Sequence, residues 1–473
     1  MNSTARPQLM AYNNKPDLIL GVVFLLGLEA VMLTIDWGVL ALNGYIALLF
    51  LAVQPPRLLH PNTMIFAFYG LWIVFPSTLD FLLESVGWIY EFGRPYDWSQ
   101  LSKTTLIQVQ MSITTLTVMA RWASGRNPVT FLNTTQAGEA RLRLSRLRTP
   151  IGLVVASLVL SVVFVQLAGG LGLWLGNYAR SFVSEREGVG ALSWLIVAIG
   201  SATLYMLGLN YFARRRPQTL LLALIMIAPL AFTGGIKSRT ITLLVFFAAP
   251  FLLDKSANPS RIVKYLIGFF VLLYVTTLLR TNGFYSGGSR YLEQLARYFN
   301  AYPLHDQIVR SRDPSFMATV EHLYAKPGQA LGFVPQEADF DVSVMLTKEY
   351  FPEQWYRFGG TQQWPIETDM WFNFMGPLLQ VVPLGLYGAF LGKLYRLAAI
   401  KGDLVLLPIY ISEFFRVVST LRGTLIPWQA PAIIVQYVII YLAVSFYLRR
   451  TSLKPVGTGS GISKRSGQAV VVS

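Results

Sequence analysis

Apolar runs long enough to cross a lipid bilayer recur along this chain, and no other feature restricts its fold as much. A spanning helix needs about 20 residues for roughly 30 Å of hydrocarbon. Charged residues make up 13% of the 473, against about a quarter in soluble domains, and the mean hydropathy is +0.48. A soluble core-and-surface arrangement is excluded on these grounds. The sequence predicts an all-α, polytopic integral membrane protein.

Twelve spans can be drawn: Leu18–Ile35, Val39–Val53, Met64–Phe81, Thr104–Trp122, Ile151–Trp174, Ala191–Tyr211, Thr219–Thr233, Thr240–Leu253, Ile262–Leu279, Met370–Leu397, Leu404–Thr420 and Leu425–Leu448. The seventh and eighth are short and meet at Gly234-Gly235, so they could instead be one broken or re-entrant element, which the bilayer tolerates only where protein or a cavity satisfies the freed backbone. Most of the 39 basic residues fall on one side of this scheme, among them Arg141, Arg143, Arg146, Arg148, Arg214, Arg215, Arg216, Arg449 and Arg450. Positive-inside topology makes that side cytoplasmic and places both termini there. The same clustering between apolar segments accounts for the net charge of +15 without nucleic acid. Residues 1–17 lack the succession of a cleavable signal peptide, so the first span reads as an uncleaved anchor. The Gly- and Ser-rich tail from Gly457 reads as disordered. No repeat of fixed period and no inverted symmetry is apparent.

One connection differs from the rest. Thr281 to Asp369, on the outer side between spans nine and ten, holds seven basic residues against eleven acidic. It contains an amphipathic piece, Tyr291–Asn300, with Leu292, Leu295 and Phe299 at helical spacing. Its length and its aromatics (Trp355, Tyr356, Phe358, Trp364) predict a folded cap. The resulting organisation is spans one to nine over residues 1–280, the cap over 281–369, spans ten to twelve over 370–448, and a cytoplasmic tail over 449–473.

Cysteine is absent and histidine is limited to His60, His305 and His322, which excludes disulfides and thiolate catalysis and argues against a zinc site. Other groups carry the candidate chemistry. Phe232-Thr-Gly-Gly-Ile-Lys-Ser-Arg-Thr240 sets Lys237 and Arg239 beside glycines at the outer mouth of two short spans, a setting suited to a phosphate or diphosphate; snorkelling to the interface explains the same residues. Arg280 ends span nine, and Arg290 and Arg297 follow seven residues apart, although Glu293 between them also fits a salt-bridged solvated helix. His305 stands next to Asp306, a pairing that can tune an imidazole or be an ordinary surface dipeptide. Glu367, Asp369, Trp371 and Asn373 lie where the cap re-enters the bilayer, and acids at such a depth are costly. Arg416 inside span eleven and Arg422 at its outer end are also costly placements; Glu413, three residues before Arg416, neutralises it on one helix face, and that pair reads as structural. Asp80 and Glu84 remain open. No P-loop, dinucleotide fingerprint, H-E-x-x-H or G-x-S-x-G is present, and Asp36 stands without the partner acid of a dolichol-phosphate-sugar transferase.

Three of these features, in this order, resemble the Wzy-type oligosaccharide repeat-unit polymerases, which share a GT-C-like architecture with O-antigen ligases: Gly234–Arg239 between two short spans, the large outer loop, and Glu367 followed by Trp371-Phe-Asn-Phe-Met-Gly376 and a Gly-rich span. The resemblance covers roughly Thr219 to Gly392. The chain departs from it at Met375, which separates Phe374 from Gly376, and at Lys237. The resemblance implies a metal-independent membrane glycosyltransferase without cofactor, acting at the periplasmic face of a bacterial inner membrane. Its substrate would be an undecaprenyl-diphosphate-linked oligosaccharide among membrane lipids, with a chain-length regulator and a flippase as pathway partners. It assigns the diphosphate to Arg239, Lys237 and Arg280 with Arg290 and Arg297, the base to Glu367, then Asp369, then His305, and sugar contacts to Trp371, Asn373 and Trp364. An O-antigen ligase and a lipid-linked oligosaccharide transporter are the alternatives. The topology itself is testable in this cysteine-free chain. Ser289→Cys and Ser315→Cys should react with an impermeant thiol reagent from outside intact cells, and labelling only after membrane rupture would contradict the orientation.

Overall fold

The computed structural model describes residues 38–125 except 92 and 95, 147–176, 189–252 except 235, the positions 264, 267, 268, 270, 271, 274 and 275, 288–319, 342–427 except 359 and 360, and 429–449. Among the described residues the regular structure is helical, and the one extended pairing is an isolated bridge between Phe316 and Phe374. The expectations of a first span, most of a ninth, and a disordered tail lie outside the described residues.

The first described helix is α1 (Val39–Ala52). A longer stretch follows, α2 (Pro61–Tyr69) passing through a wider turn at Gly70–Val74 into α3 (Phe75–Ser85). His60 caps its start, accepting from the Asn62 N–H at 3.2 Å, and Pro61 takes the first position, where a missing N–H costs nothing. The wide turn has an equally local cause: Pro76 cannot donate to the carbonyl four residues back and its ring crowds it, and Phe75 N–H bonds Gly70 O five residues back instead. Next come α4 (Lys103–Ser124), α5 (Ile151–Leu167) and α6 (Leu171–Gly176), then α7 (Gly190–Arg214), α8 (Pro217–Gly234) and α9 (Ile236–Leu252). Four short helices build the cap segment: α10 (Gly288–Tyr298), α11 (Ala301–Ser311), α12 (Val342–Tyr350) and α13 (Pro352–Phe358). The chain ends through α14 (Ile366–Asn373), α15 (Val381–Tyr395), α16 (Leu406–Leu421) and α17 (Ala430–Arg449).

Among the described residues three helices are long and apolar enough to cross a membrane: Pro61–Ser85, Gly190–Arg214 and Ala430–Arg449. Val39–Ala52, Ile151–Leu167, Pro217–Thr233 and Arg239–Leu252 are apolar but shorter. Two expected spans are broken. The segment Ile151–Trp174 ends its helix at Leu167 and turns through Gly169 and Gly170, both at positive φ, and Trp174 folds back to donate to Ala168 O at 2.8 Å. The segment Met370–Leu397 is likewise two helices, because Met375 and Gly376 adopt φ +55° and +69°. Met375 N–H donates to Ser315 O at 2.9 Å and Ser315 N–H to Trp371 O at 3.0 Å, so a tertiary pairing holds a turn that no local signal announces.

The apolar residues collect into two large cores, one around α7 and one around α1, α2 and α4, with a smaller cluster in the cap around Trp364, Trp371 and Phe372. Helix α15 reaches the first core through Tyr395, and within the second it makes a close contact with α4. The contact is close because Gly388 and Gly392 face the α4 backbone: a Cβ on Gly388 would lie 2.6 Å from Leu116 O. Small residues that let backbones approach are the usual means of joining helices where both sides are apolar. Gly388→Ala should therefore lower the melting temperature of the detergent-solubilised protein by the equivalent of about 1–3 kcal/mol. Gly152→Ala, on an exposed position with open space around it, should leave it unchanged, and equal melting of the two variants would refute the close contact.

Candidate functional site

Helix α14 is buried from end to end, so its polar groups must find partners inside the protein. Glu367 is fully buried and receives the Tyr69 hydroxyl at 2.8 Å and the Tyr302 hydroxyl at 3.2 Å. Burial pushes its carboxyl up to about 7, although these hydroxyls favour the charged form. Its own main-chain oxygen accepts from Gln108 Nε2 at 2.8 Å, and Gln108 exchanges further bonds with Gln380. Asp369 is 3% exposed. Its Oδ1 accepts from Asn373 Nδ2 at 2.8 Å and its Oδ2 from the Leu425 N–H at 3.0 Å.

His305, on α11, completes the same network. Its Nε2 lies 3.0 Å from Gln108 Oε1 and its Nδ1 3.0 Å from Thr368 Oγ1. Burial lowers its pKa to about 3, against a small opposing pull from Asp306, so it is neutral at physiological pH. The adjacent Asp306 does not face it. Burial opposes its charge, but the Ser102 N–H, the Thr105 hydroxyl and Arg310 outweigh that cost and hold its pKa below the usual range. Asp306 thus fastens α11 to the start of α4.

A second arrangement lies beside this network. A cavity of about 430 Å³ is walled by α7, α9, α16 and α17, by the first turn of α12, by residues 361–363 after α13 and by the connection from α16 to α17; Arg239, Arg416 and Arg422 all line it. Arg239 Nη2 donates to Val197 O and Ser201 Oγ, each at 3.2 Å, and its buried Nε has no partner among the described residues. Arg416 forms a two-pronged pair with Glu413 at 2.7–3.1 Å, and the Tyr437 hydroxyl also donates to Glu413 at 2.6 Å. Arg422 has no ion pair among the described residues. Three guanidiniums with one carboxylate leave a cationic surplus in a partly enclosed space, which favours an anion with several oxygens. Among the described residues no group of His, Asp or Glu could hold a metal ion.

The sequence-predicted residues divide between these two places and the periphery. Glu367 and His305 are joined through Gln108, and Asp369 and Asn373 pair with each other one turn further along α14. Trp371 and Trp364 are in the cap core, with Trp371 Nε1 donating to Arg312 O at 3.1 Å and Trp364 Nε1 toward Thr347 Oγ1 at 3.4 Å. Arg239 is in the cavity. Arg290 pairs with Glu91 at 2.9 Å and Arg297 donates to Gly93 O at 2.9 Å, both away from the cavity. Glu293 receives the Glu91 N–H at 2.7 Å, so α10 is held to the 91–93 segment. The Lys237 side chain and Arg280 lie outside the described residues. The Glu413–Arg416 pair reads as structural from the sequence, yet Arg416 also lines the cavity, and Arg422 lines it too. The signal for them is the polar stripe Ser412, Arg416, Ser419 and Thr420, four and three residues apart on one face of an apolar helix.

No protein-family model, curated protein or solved structure matches this chain.

The Glu367 pKa has a consequence for stability. A carboxyl whose folded value stands above its unfolded value near 4.5 keeps a proton that the unfolded chain has released. Its stabilising contribution is whole below about pH 4.5 and is lost as pH rises through about 7. His305 acts only on the acid side of about 6.5. Between pH 6.5 and 9 the wild-type melting temperature in detergent should fall, and Glu367→Gln should flatten that decline; parallel curves would rule out a protonated Glu367.

Proposed function

We propose that this chain is a membrane glycosyltransferase of the Wzy type, polymerising undecaprenyl-diphosphate-linked oligosaccharide repeat units at the periplasmic face of a bacterial inner membrane. The observation that carries the reading is the cavity with Arg239, Arg416 and Arg422 in its wall. The twelve-span topology with an outer cap belongs to the same reading and draws its support from the Lys and Arg distribution and from the apolar helices.

The chemistry follows from the charges. A hydroxyl of the acceptor sugar attacks the anomeric carbon of the donor, the anomeric C–O bond to the diphosphate breaks, and its electron pair leaves on the diphosphate oxygen. Negative charge grows on that oxygen, and guanidiniums already in place stabilise it without reorganising at the moment of reaction. Lys237 and Arg280 keep the diphosphate role that the resemblance assigns them, joined by Arg416 and Arg422. The hydroxyl proton passes to Glu367, whose elevated pKa suits a base. Tyr69 and Tyr302 screen that carboxylate from solvent, so the acceptor reaches it only when the cap segment moves off α2.

Arg239→Ala should reduce polymer formation from purified lipid-linked repeat units by about a hundredfold or more, as expected for loss of a preorganised charge-stabilising donor. Arg239→Lys should recover only part of this, because the ammonium lacks the planar fork. Normal polymerisation by Arg239→Ala at equal protein level would remove the arginine cavity from the mechanism. Movement of the lipid-linked sugar across vesicles without any new glycosidic bond would assign the chain to transport.

A further inference from the structure

We infer that Asp369 is a positioning residue for the cavity, holding Arg422 in its wall through the backbone of the segment that follows α16. This inference rests on the anion-binding reading of the cavity given above. The resemblance offers Asp369 as a proton acceptor, but its geometry serves a different purpose. Both of its oxygens accept hydrogen bonds from fixed donors. Asn373 occupies Oδ1 at 2.8 Å, and Asn373 is itself fixed because its Oδ1 accepts from the Thr319 N–H at 3.0 Å. Asp369 Oδ2 accepts from the Leu425 N–H at 3.0 Å.

The position of that donor gives the bond its importance. Leu425 stands three residues after Arg422, and Arg422, Gly423 and Thr424 between them line the cavity. Helix α16 ends at Leu421, its last turn closed by the Arg422 N–H on Val418 O at 3.1 Å and the Gly423 N–H on Thr420 O at 3.2 Å, and Asp369 fixes the course of the chain immediately after that turn. It acts as a tether from a rigid post: α14 is buried throughout, and its C-terminal turn is locked by Ser315 N–H to Trp371 O and Met375 N–H to Ser315 O. A carboxyl oxygen accepting from a backbone N–H meets little competition from water with 3% of the residue exposed. The cap is thereby coupled to the cationic wall, and a disturbance of α14 reaches the anion through Arg422.

Asp369→Asn tests this in the full-length protein with nearly unchanged volume. The amide presents an oxygen to only one of the two donors, Asn373 and Leu425, and sets an NH2 against the other. The first readout is inorganic pyrophosphate binding by calorimetry in detergent, with wild type, Asp369→Asn, Arg422→Ala and the double variant. Asp369→Asn should weaken binding about tenfold, Arg422→Ala by at least as much, and the double variant no further than Arg422→Ala, since the tether acts only through that arginine. Arg239→Ala combined with Asp369→Asn should instead multiply the two losses. The second readout is a spin label on Ile426→Cys, an exposed site in this cysteine-free chain, which should become more mobile in Asp369→Asn. The third is the pH profile of polymerisation, which should keep its wild-type shape with a raised KM, whereas loss of a base removes a limb of the profile and lowers kcat. Unchanged label mobility, or additive losses in the Asp369–Arg422 cycle, would overturn the positioning role while leaving the anion cavity standing. Failure of the wild type to bind pyrophosphate would overturn both.

Discussion

Polar groups carried into an apolar interior have to be paired there, and this requirement organises the centre of the molecule. Helix α4 brings Gln108 into a region otherwise built from leucine, isoleucine and aromatic side chains. Its amide joins the main chain of α14, the side chain of Gln380 before α15, and the His305 ring of α11. Glu367 adds α2 through Tyr69. Five elements distant in sequence thus share one hydrogen-bonded knot. Because an unsatisfied buried polar group costs more than a made bond returns, the knot specifies one register among these helices where leucine packing alone would accept several.

Much of this architecture is legible in the sequence. Continuous apolar runs mark the helices, and the helical spacing of Leu292, Leu295 and Phe299 marks α10 although its neighbourhood is irregular. The two broken segments are not legible for a shared reason. Their hydropathy continues across the break, and the turn at Met375 is a methionine at positive φ held by Ser315, sixty residues earlier in the chain. The candidate site divides in the same way. The cost of placing Arg239, Glu367 and Arg416 in apolar segments is visible residue by residue, but which of them face one another is a property of tertiary structure. The Glu413–Arg416 pair shows why: a neutralising partner three residues away is a complete local explanation, and only the packing of α16 against α7, α9 and α17 adds that the guanidinium also borders a cavity.

The two polar regions are treated in opposite ways by the fold. In the knot each carboxylate and ring nitrogen is satisfied by neutral donors and acceptors, and the result is closed. In the cavity Arg239 has neutral partners and an orphan Nε, and Arg422 has no counter-ion among the described residues. A cation drawn partly out of water without a matching anion is an expensive state for a protein to hold, and Arg239 and Arg422 are held half-buried next to open volume. Interior strain of this kind concentrates where a ligand completes the electrostatics.

The wide turn at Gly70–Val74 has a bearing on how this chain can change in length. Such a turn is one extra residue absorbed within an otherwise regular helix, so the helix on either side keeps its facing: Tyr69 toward Glu367, and Ser77 toward Asn43 at 2.8 Å. Loss of a single residue between 70 and 74 would convert the turn to ordinary helix and preserve both faces. A deletion elsewhere in Pro61–Ser85 would rotate everything beyond it by about 100°, carrying Asp80 away from Arg94. Within Pro61–Ser85 a one-residue deletion is therefore compatible with both sets of contacts at this turn and nowhere else.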